Sequence, residues 1–140
     1  MVSSYAITPF VAWLMAGSLK FLINSIKARQ LAFGQIGYGG LPSNHGAIVS
    51  SSAALIAMKQ GVDTPAFGLA VTLAFIVILD AASLRRQVGR HAAVLNQLAA
   101  AQGATSTLRE RMGHTPFELL CGVAVGVLAA TLVHGLLDGH

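Results

Sequence analysis

The sequence carries little charge. Only 10% of its 140 residues are Asp, Glu, Lys or Arg, whereas soluble domains carry about 25%. Hydrophobic residues make up 54% of the chain, and the mean hydropathy is +0.67. This balance excludes an ordinary water-soluble domain. The chain is predicted to be an integral-membrane protein with one domain over residues 1–140.

Aromatic residues and cysteines are also scarce. The formal charge is +4, but aromatics are only 6% and no basic run lies in a polar context, so nucleic acid is not an expected partner. Cys121 is the single cysteine, which excludes a disulfide within the chain. The basic residues are better explained as determinants of membrane topology.

Long apolar runs are abundant, and they predict an all-α fold. We expect an integral-membrane bundle of about four transmembrane helices plus one amphipathic interfacial helix. The predicted spans are residues 5–26, 42–60, 65–84 and 116–137, and the interfacial helix is residues 85–101. No basic segment precedes the first run, so it is expected to be a retained span and not a signal peptide.

Lysine and arginine predict the orientation. Eight of these residues fall on one membrane face in the four-span arrangement, and only Lys59 falls on the other. The positive-inside rule makes the rich face cytoplasmic, in a bacterial inner membrane. Small residues at Gly122 and Gly126 predict close helix packing, and a homodimer through the small-residue helices is left open.

The first motif is residues 39–46, Gly-Gly-Leu-Pro-Ser-Asn-His-Gly. Pro42 is predicted to be the first helical residue, so that unpaired N–H groups after it form an anion site. Gly40 allows close approach to the backbone, Ser43 offers a hydroxyl and His45 a proton donor. The alternative is a Gly-Pro turn that caps a helix beside a surface histidine.

The second motif is residues 113–118, Gly-His-Thr-Pro-Phe-Glu. His114 and Glu118 are four residues apart, so they share a helix face if the helix reaches back to His114. A carboxylate on one imidazole nitrogen leaves the other as a lone pair, as a nucleophilic histidine requires. The alternative is a local pair at a helix start.

The membrane arrangement brings both histidines to one face, beside cationic residues. These are the groups needed for phosphoryl transfer through a histidine, in which one imidazole attacks phosphorus and the other protonates the leaving oxygen. No metal is required. A metal site built from His45, His91, His114 and Asp80 is disfavoured because their spacing is not that of metal ligands.

Residues 39–45, 80–96 and 113–118, in that order, resemble the three blocks of the divergent branch of the phosphatidic acid phosphatase type 2 superfamily, also described as related to acid phosphatases and vanadium-dependent haloperoxidases. The resemblance implies that Ser43 binds phosphate and His45 is the acid. It also implies that His114 is the nucleophile and that Glu118 orients it.

The cations that clamp the phosphate are less well defined, because the sequence departs from the superfamily pattern there. The candidates for phosphate binding, beside Ser43, are Asn44, Gly40, Lys20, Lys27, Arg85, Arg86 and Arg109. Lys20 and Lys27 lie on a polar stripe that either lines a site or reaches lipid headgroups. Asp80 is a candidate ion-pair partner for one of the arginines.

The resemblance implies a metal-independent phosphoric monoester or diphosphate hydrolase without a cofactor. A phosphorylated lipid is the expected partner, and a phosphatidylglycerophosphate-like monoester or an isoprenoid phosphate fits equally well. The hypothesis from another class is a catalytically silent membrane protein that binds a lipid phosphate or acts as a scaffold.

Overall fold

The computed structural model describes residues 3–29, 40–105 and 107–139. In these ranges all regular structure is helical, which confirms the all-α prediction. The elements are α1 (Ser4–Ala28), α2 (Asn44–Gln60), α3 (Pro65–Leu79), a π turn (Asp80–Leu84), α4 (Arg85–Ala101) and α5 (Pro116–Leu137). The loop predicted between Lys27 and Gly40 lies largely outside the described residues, and so does Gly39 of the first motif.

Among the residues that the structure describes, three helices are long and apolar enough to cross a membrane: Ser4–Lys27, Pro65–Ala101 and Pro116–Leu137. The fourth, α2, has 17 residues, about 25 Å at 1.5 Å per residue against a hydrocarbon core of about 30 Å. The prediction of about four membrane helices is therefore consistent with the structure, with α2 the shortest.

Helix α2 is central, as its small residues predict. It contacts α1, α3 and α5, and its buried side chains include Val49, Ser51 and Leu55. By contrast, α3 has no buried residue, and its three leucines and Ile76 are exposed. The outer helices thus present apolar side chains to lipid, while the polar side chains of α2 are enclosed by protein.

Helices α2 and α5 run parallel and approach closely. A Cβ on Gly122 would collide with the Ser43 carbonyl oxygen, and one on Gly126 would collide with the Ser50 hydroxyl and the Ala47 carbonyl. Neither position has space for a larger residue. This confirms the packing predicted from the Gly122 and Gly126 spacing.

Pro42 is not the first helical residue, so that prediction was wrong. Helix α2 begins at Asn44, and Ser43 is its N-cap, with its hydroxyl oxygen accepting from the Gly46 N–H at 3.3 Å. A serine oxygen satisfies one of the unpaired donors of the first turn, which a proline cannot do. At α3 and α5 the rule does hold, because Pro65 and Pro116 each follow a threonine N-cap.

A polar cluster joins the helices at the end of the bundle away from both histidines. Lys59 Nζ lies 2.7 Å from Asp138 Oδ1 and donates to the Ser4 hydroxyl at 2.7 Å. The hydrogen bond from Lys59 holds the pKa of the Asp138 carboxyl below its usual range. Since α1, α2 and the end of α5 meet here, the cluster fixes the helices at one end and leaves the other for the site.

The predicted interfacial helix is continuous with the third span. Residues Pro65–Ala101 form one 37-residue run, about 55 Å long at 1.5 Å per residue, so it exceeds a hydrocarbon core of about 30 Å. The π turn marks the change, because the Arg85 N–H donates to the Asp80 carbonyl, five residues back. Helix α4 therefore extends past the core, where its arginines can be solvated.

Candidate functional site

The two histidines of the sequence motifs lie side by side. His45 is in the first turn of α2 and His114 is two residues before α5. Their ring centroids are 5.9 Å apart, with the ring planes inclined at 58°. The two imidazole rings are therefore near neighbours in space, although the residues are far apart in the sequence.

Backbone and side-chain contacts both hold His114. Its N–H donates to the Ala81 carbonyl at 3.0 Å, and its ring Nδ1 lies 3.2 Å from Glu118 Oε2. The residue is only 6% exposed. A carboxylate beside Nδ1 favours the tautomer that carries the proton there, which leaves Nε2 as a lone pair.

Glu118 has a structural role as well. Its Oε2 accepts from the Thr115 N–H at 2.9 Å, and its own N–H donates to the Thr115 hydroxyl at 3.2 Å. This is a capping box, which pairs two otherwise unsatisfied donors at the start of α5. The sequence left two alternatives, a local helix pair and an orienting carboxylate, and the geometry accommodates both.

The motifs are joined through the backbone. The Ser43 N–H donates to the Glu118 carbonyl at 2.9 Å, so the start of α2 is fixed against the first turn of α5. Because Ser43 uses its own N–H this way and its hydroxyl caps Gly46, the N–H groups that face out of α2 are those of Asn44 and His45. The anion site predicted from the sequence therefore lacks the N–H group of Ser43.

Ser43 and Asn44 differ in their access to the site. Ser43 is fully buried, against the backbone at Gly122. Asn44 is partly exposed, and its Oδ1 and the Nδ1 of His45 are buried atoms without a hydrogen-bond partner among the described residues. Unpaired buried polar atoms are costly, so both are available to a polar group that enters. Gly40 has a φ of 135° and lies beside Asn24.

Among the basic candidates, Lys20 and Arg85 act electrostatically on both histidines. Lys20 also lies within electrostatic reach of Glu118 and Arg109, and Arg109 Nε donates to the Arg111 carbonyl at 3.1 Å. The structure thus brings Lys20, Arg85 and Arg109 to the same end of the bundle as the histidines.

The other charged candidates lie further out. Asp80 Oδ2 is 3.8 Å from Arg85 Nε, with both side chains 41% exposed, so the ion pair is long and only partly buried. Arg86 is exposed and touches Gly113 through its backbone. Lys27 is exposed in the last turn of α1.

Burial has the largest effect on the pKa of His114. It lowers the pKa of the imidazole, the Glu118 carboxylate raises it through the hydrogen bond, and Lys20 and Arg85 lower it further. The net effect is a pKa below the usual value for histidine. At a given pH a larger fraction of His114 is therefore neutral than of an exposed histidine.

In the described ranges, no three His, Cys, Asp or Glu side chains are placed to hold one metal ion. His91, one of the residues weighed as a ligand, is exposed on α4.

Sequence reasoning assigned no role to the Ala81 carbonyl or to Gly113. Ala81 lies in the π turn, and a Cβ on Gly113 would lie 3.1 Å from the Arg86 nitrogen. Gly113 also has a φ of 91°, which favours glycine. A glycine directly before a motif histidine was the available signal, whereas nothing in the sequence marks a carbonyl.

Comparison with known proteins gives a family match over most of the chain. A model described as the Divergent PAP2 family matches residues 2–129. The chain is 29% identical over 139 residues to a Bacillus subtilis (strain 168) protein named "Uncharacterized membrane protein YuiD", with 87% of this chain and 88% of that protein covered. No solved structure matches the chain significantly.

Proposed function

Because the chain belongs to the Divergent PAP2 family, we propose that it is an integral-membrane phosphatase that hydrolyses a lipid-linked phosphate through a phosphohistidine. The observation that carries the proposal is the pairing of His114 with His45 at 5.9 Å, together with Glu118 at 3.2 Å from His114 Nδ1. A surface histidine with a local partner would not face a second imidazole.

The proposed chemistry has two displacements. In the first, His114 Nε2 attacks phosphorus, the bond from phosphorus to the lipid oxygen breaks, and protonated His45 gives that oxygen its proton. In the second, water attacks the phosphoryl group, neutral His45 takes a proton from the water, and the phosphorus–nitrogen bond breaks to release phosphate and His114. Lys20 and Arg85 stabilise the oxygens that gain charge.

A lipid substrate is supported by an apolar groove between α1 and α5. It is lined by Leu14, Met15, Ser18, Leu19, Leu22, Val125 and Leu128. Lys20 lies on α1 within the stretch that lines the groove, and its ammonium interacts with Glu118. A hydrocarbon chain in the groove would place its phosphate near the histidines. A phosphatidylglycerophosphate-like monoester and an isoprenoid phosphate both suit this arrangement.

We further propose that the site faces the cytoplasm of a bacterial inner membrane. The histidines share their end of the bundle with Lys20, Arg85 and Arg109, while Lys59 is at the other end with Asp138. An excess of Lys and Arg marks the cytoplasmic side.

The purified protein should release phosphate from lipid phosphates as fast in the presence of EDTA as in its absence. Vanadate should inhibit the reaction, because it mimics the five-coordinate transition state. Sealed inside-out vesicles should hydrolyse external p-nitrophenyl phosphate, and right-side-out vesicles should not. If activity were lost in EDTA and restored by a divalent ion, the histidines would be metal ligands, and His114 would not be the nucleophile. Activity in right-side-out vesicles alone would show that the site faces the opposite side of the membrane from the one proposed.

A catalytically silent lipid-phosphate binding or scaffold membrane protein is the second candidate, because Ser43 departs from the role that the phosphatase function would give it. The hydroxyl expected to bind phosphate is fully buried and caps α2. This function would be supported if the purified protein bound vanadate or a lipid phosphate but released phosphate from none of the lipid phosphates tested.

Replacing Glu118 with glutamine should lower kcat by about a hundredfold or more, in the range of general acid–base effects. The amide keeps the size and an acceptor for the Thr115 N–H but loses the charge that stabilises the imidazolium. KM should change little. Because Glu118 raises the pKa of His114, its neutralisation should move the acidic limb of kcat/KM to lower pH.

The matched control is Asp63→Asn, an exposed carboxylate in the turn between α2 and α3. It should leave both kcat and the pH profile unchanged. A near-normal kcat in E118Q would reduce Glu118 to its part in the capping box.

A further inference from the structure

An extended segment, residues 108–113, runs back along α4 and ends at His114. At its start, Asn96 Nδ2 donates to the Leu108 carbonyl at 2.8 Å and Asn96 Oδ1 accepts from the Leu108 N–H at 3.1 Å. In its middle, Glu110 crosses Gly89, and at its end Gly113 touches the Arg86 backbone. We call residues 108–113 the strap.

The strap lies on one face of α4. Its contacts fall at Arg86, Gly89 and Asn96, and Gly89 and Ala92 are the buried residues of this helix. Gly89, Ala92 and Asn96 are three and four residues apart, so they form one stripe. The strap therefore covers a continuous face of α4 and runs antiparallel to it.

Two features fix the strap lengthwise. Asn96 is bidentate on the Leu108 peptide, and its Nδ2 also lies 2.8 Å from Glu110 Oε1. Gly89 leaves no space, since a Cβ there would collide with the Glu110 carbonyl. A glycine inside a helix makes the helix less stable than an alanine would, and the close approach of the strap explains why glycine is present at this position.

We propose that the strap is the element that positions His114, with Asn96 and Gly89 as positioning residues. The proposal rests on the function given above. The strap passes from the Asn96 contact directly into His114, whose N–H is bonded to Ala81 in the π turn. The same π turn leads into Arg85. The π turn and α4 thus fix the position of the proposed nucleophile, His114, relative to that of a proposed phosphate-binding cation, Arg85.

The expected effect of loosening the strap follows from the demands of the attack. A misplacement of about 1 Å in a reacting group can lower the rate by about a hundredfold. In the proposed function the substrate is bound through Lys20, Arg85 and the α1–α5 groove, which lie outside the strap. The phosphate-binding candidate Arg109 lies within the strap, but its side chain is unchanged when Asn96 or Gly89 is replaced. A positioning role therefore lowers kcat and leaves KM nearly unchanged.

The experiment compares Asn96→Ala and Gly89→Ala with two matched controls. Gly68→Ala adds a Cβ to a helical glycine with nothing within 4 Å, and Gln97→Ala removes an exposed side chain next to Asn96. For N96A and G89A we expect kcat to fall by about 10- to 100-fold with KM within about twofold. G68A and Q97A should equal the wild type.

A second measurement does not depend on turnover. Burial lowers the pKa of His114, so a displaced strap should admit water and raise that pKa toward the usual histidine value. The titration of the His114 ring by NMR, assigned by its loss in His114→Asn, should show this rise in N96A and G89A and in neither control. If N96A does not fold, G89A carries both measurements.

The outcomes separate this proposal from the function. A wild-type protein without phosphatase activity would defeat the function, while the ring titration would still decide whether the strap positions His114. Wild-type kcat in G89A, or an unchanged His114 titration in an otherwise folded G89A, would overturn the positioning role. A raised KM with normal kcat would place the strap in substrate binding instead.

Discussion

His114→Asn should abolish formation of the phosphoenzyme from every substrate. The imidazole Nε2 is the atom proposed to bond phosphorus, and an asparagine amide nitrogen has no available lone pair. The substitution is mild for the fold, because the N–H bond from residue 114 to Ala81 is made by the backbone. The lost activity would then reflect the missing nucleophile and not a collapsed site.

The measurement is rapid-quench detection of acid-labile, protein-bound phosphate, with lipid phosphate and with p-nitrophenyl phosphate. The control is His91→Asn, which changes an exposed histidine on α4 and should retain the full burst. Phosphoenzyme that persists in H114N would require His45 or another residue to be the nucleophile.

His45→Asn should divide substrates by their leaving groups. A lipid alkoxide is strongly basic and needs a proton as it departs, whereas p-nitrophenolate is stable without one. General acid catalysis contributes about 10²–10⁴-fold. We therefore expect phosphoenzyme formation to be nearly abolished with a lipid phosphate and much less impaired with p-nitrophenyl phosphate.

The same rapid-quench assay provides the comparison, with the rate of burst formation as its readout. His45 lies in the first turn of α2 and its N–H faces out of the helix, so H45N keeps the backbone donor and removes only the ring. Equal losses with the two substrates would remove the acid role from His45.

Much of the fold could be predicted from the sequence because its signals are local. Pro65 and Pro116 each follow a threonine that caps the helix, so the helix starts could be read directly. Glycine spacing predicted that α5 packs closely against another helix, and the structure shows that this helix is α2, where only a missing Cβ permits the approach. The convergence of both histidines followed from the alternation of spans.

Pro42 shows where local signals fail. Proline suits the first helical position, but the serine that follows it, Ser43, is a preferred N-cap residue. The helix therefore starts at Asn44, two residues after Pro42. The same choice buries the Ser43 hydroxyl, which the resemblance would place on phosphate. The choice between a helix start at Pro42 and one at Asn44 depends on packing against α5, where the Ser43 N–H donates to the Glu118 carbonyl. The sequence does not show this contact.

The strap and the π turn were not predictable for a different reason. The sequence of residues 102–112 has no periodic pattern, so it predicts only a polar linker. The path of residues 108–112 depends on Asn96 and Gly89, which lie on another element. A π turn differs from an α turn by one hydrogen-bond partner. The isolated Gly89 in a helical run was the one local hint of a close contact.

The most direct test of the account is the chemical identity of the phosphorylated residue in the wild-type protein. Glu118 occupies the Nδ1 side of His114 at 3.2 Å, so the phosphoryl group should be on Nε2. Quenched phosphoenzyme should yield a phosphopeptide containing His114, and alkaline hydrolysis should release the isomer phosphorylated on Nε2. Phosphate on Nδ1, on His45 or on no histidine during active turnover would contradict the account.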